Sequence, residues 1–129
     1  MNHLLDSNVL YWSIFGGLSL TPSVRQLIED DQNKLFVSRA SIWELSAKTT
    51  KGRLPMPESS VRFLLEHIQQ TGMITLPIEI VNILRTETLP HHHGDPFDRM
   101  IVAQAMQENL MILSSDDKIP LYDVTVIWN

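Results

Sequence analysis

The sequence predicts an α/β fold with a mostly parallel sheet covered by helices on both faces. Two observations predict it. Short β-like apolar runs alternate with stretches whose apolar residues recur at helical spacing, and strands separated by helices form βαβ units. The 129 residues, 43% hydrophobic and 19% charged, are enough for one core in one domain spanning residues 1–129.

The elements follow in order. His3 to Val9 holds the apolar pair Leu4-Leu5, a first buried strand that ends near Asp6. Thr21-Pro22 opens a helix, with proline at its first position and Val24, Leu27 and Ile28 on one face. Leu35-Phe36-Val37 is a second strand. A helix runs from Ser41 to about Thr50 and stops at Gly52. A longer one runs from Pro57 to about Gln70, with Val61, Leu64, Leu65 and Ile68 as its stripe and Gly72 as its cap. Met73 to Leu76 suits a third strand, and proline-first logic makes Pro77 to Glu87 a helix. Pro96 to Asn109 is helical with Ile101, Val102 and Ala105 inward, and Leu110–Leu113 and Val124–Trp128 are the last strands.

Composition narrows the function. The absence of cysteine excludes disulfides and thiolate metal sites and fits a reducing cytosol. The start carries no basic flank, and no apolar stretch approaches the roughly 20 residues that span a bilayer. A cytoplasmic protein with no membrane attachment is expected. A net charge of −5 opposes a grip on nucleic acid by phosphate neutralisation, unless the carboxylates gather around bound cations.

Where the carboxylates sit therefore matters. In open α/β sheets, ligands bind beyond the carboxyl ends of the strands, and Asp6 and Asp116 follow the first and fourth strands. Four places carry acids beside apolar runs: Leu5-Asp6-Ser7, Ser41-Ile42-Trp43-Glu44, Asp95-Pro96-Phe97-Asp98-Arg99 and Ser114-Ser115-Asp116-Asp117. Each has a purely structural reading. Ser41 and Glu44 match a capping box, Asp95 and Asp98 an N-cap and a dipole-favoured acid, and Asp116 a turn residue. Asp6 is harder to place, because a carboxylate between buried segments must be paired or bind a metal. Converging acids cannot all stay ionised without cations. Oxygen-only ligands favour Mg²⁺ or Mn²⁺, which serve phosphodiester hydrolysis without a nucleophilic side chain.

Leu4-Leu5-Asp6-Ser7-Asn8, Ser41-Ile42-Trp43-Glu44-Leu45, Asp95-Pro96-Phe97-Asp98-Arg99-Met100-Ile101-Val102-Ala103-Gln104-Ala105 and Ser114-Ser115-Asp116 occur in that order. In these stretches the chain resembles PIN-domain proteins, specifically the VapC-like toxins of toxin–antitoxin modules. The resemblance covers essentially the whole chain. It implies a PIN-like α/β/α sandwich around a five-stranded, mostly parallel sheet. It implies a Mg²⁺- or Mn²⁺-dependent endoribonuclease acting on single-stranded RNA, a homodimer, and inhibition by a cognate VapB-like antitoxin. The matched acids are Asp6, Glu44, Asp98 and Asp116. Ser7 stands where threonine is common, and Asp117 beside Asp116 leaves open which of the two faces the site.

On this reading Asp6 and Asp98 are direct metal ligands, Glu44 a ligand or water-orienting base, and Asp116 an outer or second-metal ligand. Ser7 and Ser115 either donate to the carboxylates or are turn hydroxyls. Asp95 is expected to cap a helix rather than bind metal, and Arg99 to pair with a carboxylate or touch RNA phosphate. His91-His92-His93 is read as solvated loop. Trp43 is read as core or interface rather than a base-stacking platform. Arg39, Lys48, Lys51 and Arg53 form a basic cluster that lines an RNA path or is simply a solvated face. Two rival classes are a catalytically silent PIN-fold binding module and a receiver-type phosphoacceptor domain; the latter lacks a well-placed lysine, since Lys118 lies beyond Asp116-Asp117.

Overall fold

A computed structural model describes residues 1–16, 19–52, 54–56 and 60–129. Its elements are β1 (Asn2–Leu5), α1 (Ser7–Phe15), α2 (Pro22–Glu29), β2 (Lys34–Ser38), α3 (Arg39–Thr50), α4 (Ser60–Thr71), β3 (Ile74–Leu76), α5 (Ile80–Thr88), α6 (Pro96–Glu108), β4 (Met111–Leu113), a 3-10 turn (Ile119–Leu121) and β5 (Val126–Ile127). Among the described residues the sheet has five strands in the order β3-β2-β1-β4-β5, and every pairing is parallel.

Successive strand residues point to opposite faces, so the neighbours Leu4 and Leu5 feed two cores. Leu5 packs with Val9, Val24, Val37, Leu45 and Leu64, and Leu4 with Ile101, Val102, Ile112, Ile119 and Tyr122. Residues buried on both sides of a sheet read as short apolar runs, Leu4-Leu5 in β1 and Ile112-Leu113 in β4, which is why these strands were legible. The chain runs outward from β1 to β2 and β3, then returns to place β4 on the other side of β1. The β1/β4 boundary is therefore the switch point at which open α/β sheets bind ligands.

Several boundaries differ from expectation. The sequence reading missed α1 altogether. Its residues, Ser-Asn-Val-Leu-Tyr-Trp-Ser-Ile-Phe, are apolar on most sides and leave no polar stripe to mark a helix. Helix α3 begins at Arg39, two residues before Ser41, because Ser38 is the N-cap and accepts from the Ala40 amide at 3.0 Å. Ser41 and Glu44 therefore form no capping box. Helix α5 begins at Ile80 with Glu79 and Asn82 capping reciprocally, so Pro77 precedes the helix rather than opening it. The expected helix start at Pro57 lies outside the described residues. Gly72 follows α4 with φ +74, the left-handed conformation expected of a cap there.

Candidate active site

Each acid is delivered by the end of an element. Asp6 closes β1 and starts α1. Its Oδ1 accepts from the Ser7 amide at 2.7 Å, and its Oδ2 from Ser114 Oγ at 2.7 Å. Ser7 turns its own hydroxyl to Glu44 Oε1 at 2.6 Å. Glu44 stands one turn into α3, and its other oxygen meets Lys48 Nζ at 2.9 Å. Asp98 stands in the first turn of α6. Asp95 caps that helix, accepting from the Phe97 and Asp98 amides at 2.8 and 3.3 Å. Asp116 bends after β4. Its Oδ1 accepts from the Lys118 and Ile119 amides at 2.7 and 3.2 Å, and its Oδ2 lies 2.9 Å from His93 Nε2. Asp117 is exposed, so of the adjacent pair it is Asp116 that turns inward.

Burial and mutual repulsion govern the electrostatics. Asp6, Glu44 and Asp98 are each less than 10% exposed. Burial raises the pKa of Asp6, and the charges of Glu44 and Asp116 add to that; hydrogen bonds from Ser114 and the Ser7 amide only partly oppose it. Asp98 is pushed up to about 8, by burial first and then by the charges of Asp6, Asp95, Glu44 and Asp116. Asp116 is itself penalised by burial, yet bonds from His93 and the Lys118 and Ile119 amides hold it below the usual carboxylate range. The donor set is oxygen-rich and electrostatically frustrated. Such a set fits a hard divalent cation, whose charge would relieve the repulsion that holds Asp98 protonated.

Three expectations need correction. Ser115 is exposed, and the hydroxyl that serves Asp6 belongs to its neighbour Ser114. Arg99 meets neither a carboxylate nor an open surface. Its guanidinium donates to the carbonyls of Thr86, Leu89 and Pro90 and to Tyr122 Oη, closing the end of α5. His93 is no solvated loop residue: its side chain is 12% exposed and its Nε2 lies 2.9 Å from both Asp98 Oδ2 and Asp116 Oδ2. His91 and His92 are exposed, as expected of a loop. Trp43 is not core. It is 65% exposed and meets Phe97 edge-on at 5.2 Å, beside Glu44 in sequence. Of the basic residues, Lys48 is bound to Glu44, Arg39 and Lys51 are exposed, as on a solvated face, and Arg53 lies outside the described residues. The missed residues Ser114, His93 and Tyr122 left faint signals at best. For His93 the signal was its place two residues before the N-cap Asp95, which ties its backbone to the head of α6.

The profile of the PIN domain family matches residues 3–125. The chain belongs to the PIN-domain family. It is 30% identical over 119 residues to Ribonuclease VapC22 of Mycobacterium tuberculosis, a match covering 90% of this chain and 88% of the relative. Among solved structures, VapBC2 from Rickettsia felis, bound to a DNA fragment from its promoter, aligns with a TM-score of 0.74 at 14% identity, covering 100% of both chains. FitAcB from Neisseria gonorrhoeae aligns with a TM-score of 0.64 at 20% identity, covering 98% of this chain and 96% of that one. These two similarities speak to the fold, a PIN-like α/β/α sandwich.

Asp95 caps α6 and Asp98 lies in its first turn, so substitution separates the two acids. Asp95→Ala should cost about 1 kcal/mol of stability, as lost N-caps do. The His93 contact uses the Asp95 backbone N–H, which alanine keeps, so measurable turnover should remain. A folded but inactive Asp95→Ala protein would place the catalytic acid at the cap.

Proposed function

We propose that this chain is a divalent-metal-dependent endoribonuclease that cleaves single-stranded RNA, the toxin of a VapBC-type pair acting in the cytoplasm. The convergence of Asp6, Glu44, Asp98 and Asp116 at the β1/β4 switch point carries the proposal. Asp6 and Asp98 would hold Mg²⁺ or Mn²⁺ directly, Glu44 would hold it or orient the attacking water, and Asp116 would be an outer or second-metal ligand. When bound, the metal supplies an activated water and charge stabilisation for the attacking and leaving oxygens. The protein's part is to fix the carboxylates. Ser114 holds Asp6 from one side, and Ser7 couples the end of β1 to Glu44. Lys48 balances Glu44 and stands ready to exchange that partner for RNA phosphate.

The name of the VapC22 relative and the two-component complexes among the structural neighbours support this reading. So does the surface. No described helix is long and apolar enough to cross a membrane. Arg39, Ile42, Trp43, Val61, Leu65 and Thr75 line a largely apolar groove of about 500 Å³ on the α3–α4 face, suited to an apolar helix of a VapB-like antitoxin. Helix α5 exposes Ile80, Val81, Ile83 and Leu84, a face that a second copy would cover in a homodimer.

The test is cleavage of a single-stranded RNA by the purified chain with Mg²⁺, with Mn²⁺ and with a chelator. Cleavage with metal and none with chelator is expected, together with a melting temperature that rises with millimolar Mn²⁺ because the ion binds only the native state. Unchanged melting and no cleavage at millimolar metal would reject the proposal.

A further inference from the structure

His93 enters the acid cluster from the segment between α5 and α6. Its Nε2 and the nearest oxygens of Asp98 and Asp116 lie within 4.8 Å of one another, a spacing at which all three can share one cation. Two roles compete for the imidazole: nitrogen ligand, or hydrogen-bond donor to the carboxylates. The far side of the ring separates them. The Asp95 backbone N–H donates to His93 Nδ1 at 3.1 Å. A ring nitrogen that accepts carries no hydrogen, so the one hydrogen of the neutral imidazole sits on Nε2. A nitrogen bearing hydrogen has no lone pair for a metal. Metal-ligating histidines show the opposite arrangement, in which the second ring N–H donates to a carbonyl or carboxylate.

Nor can the ring easily turn over. The Asp95 amide is fixed at the head of α6. The His93 amide donates to Tyr122 Oη at 2.9 Å, and Arg99 holds the same hydroxyl at 3.1 Å. The hydrogen on Nε2 therefore points at carboxylate oxygens, bonding Asp116 Oδ2 and lying beside Asp98 Oδ2.

We propose that His93 is a positioning residue that donates Nε2–H to Asp116 and, lying against Asp98, aims both carboxylates at a shared cation without binding it. This rests on the reading of the acids as a cation site. It assigns the centre an all-oxygen ligand set, and so a preference for Mg²⁺ and Mn²⁺ over the imidazole-seeking ions Zn²⁺ and Ni²⁺.

The test is ¹⁵N NMR of the histidine rings in the wild-type protein, without metal and with saturating diamagnetic Mg²⁺, paired with Mg²⁺ calorimetry on variants. The His93 ring should show a hydrogen-bearing Nε2 and a bare Nδ1 in both states. A hydrogen on Nδ1 in either state would overturn the proposal. His93→Ala should weaken Mg²⁺ binding by about 10- to 100-fold, as loss of an orienting partner does. His93→Gln, whose amide N–H reaches the Nε2 position, should recover most of it. Wild-type affinity in His93→Ala would also overturn the proposal. Failure of the wild type to bind Mg²⁺ would sink the proposed function instead, and the ring tautomer would still decide the donor role.

Discussion

Asp98→Asn should lower RNA cleavage by on the order of a thousandfold, since metal charge stabilisation is worth several kcal/mol at about 1.4 kcal/mol per tenfold. The folded protein should meanwhile be as stable as the wild type or more so when metal-free. Asp98 is pushed up to about 8 from its ordinary 3.8 by burial and by Asp6, Asp95, Glu44 and Asp116. The native state therefore keeps a proton that the unfolded chain releases. The stability this proton contributes is fully present below the unfolded value and is lost as pH rises from about 4 to about 8. Asp6, also raised, adds to that slope, whereas Asp116, lowered, acts only at pH values below the ordinary carboxylate range, outside this window. Asparagine has no such proton, so comparing the two proteins isolates the share of Asp98. In EDTA, the wild type should lose more melting temperature between pH 5 and pH 8 than Asp98→Asn. Parallel melting curves together with wild-type cleavage would show that the acid at 98 is not part of the centre.

Arg99→Met should be the most destabilising of the changes considered. Its guanidinium donates to Thr86 O at 2.7 Å, Leu89 O at 3.3 Å, Pro90 O at 2.8 Å and Tyr122 Oη at 3.1 Å. Charged hydrogen bonds contribute more than neutral ones, and part-buried carbonyls left without a donor add their desolvation cost. A loss of about 3 kcal/mol is expected, hence a fall of roughly 10 °C in melting temperature for a chain of this size. Arg99→Lys should recover only part, because a point charge cannot reproduce the fork. Differential scanning calorimetry checks both. Wild-type melting with lost cleavage would instead return Arg99 to the role of a phosphate contact.

What was legible in the sequence divides along physical lines. The strands β1 and β4 were readable from their buried apolar runs, Leu4-Leu5 and Ile112-Leu113. The acids were readable because a carboxylate beside such a run needs a reason. Helix α1 was hidden by its excess of apolar side chains, and the start of α3 by two serines, Ser38 and Ser41, of which either can cap. Ser114 and Ser115 differ only in which face of the chain they meet after β4, a matter of one residue in a period of two. His93 and Arg99 were misjudged because their contacts depend on how the turn between α5 and α6 folds back, onto Asp98, Asp116 and Tyr122 for one and onto the α5 end and Tyr122 for the other. Periodicity carries no information about such a fold-back.

The bond from Ser114 to Asp6 joins residues 108 positions apart. Asp6 is synthesised long before its partner hydroxyl and Asp116. β1 lies between β2 and β4, so a nascent chain can pair one edge of β1 long before the other edge has a neighbour. Closing so long a loop is entropically costly and is compensated only once β4 docks. The candidate centre is thus closed by a segment made more than a hundred residues after its first acid. A chain cut short before Ser114 has Asp6, Glu44 and Asp98 but lacks both the hydroxyl that holds Asp6 and the fourth acid, Asp116.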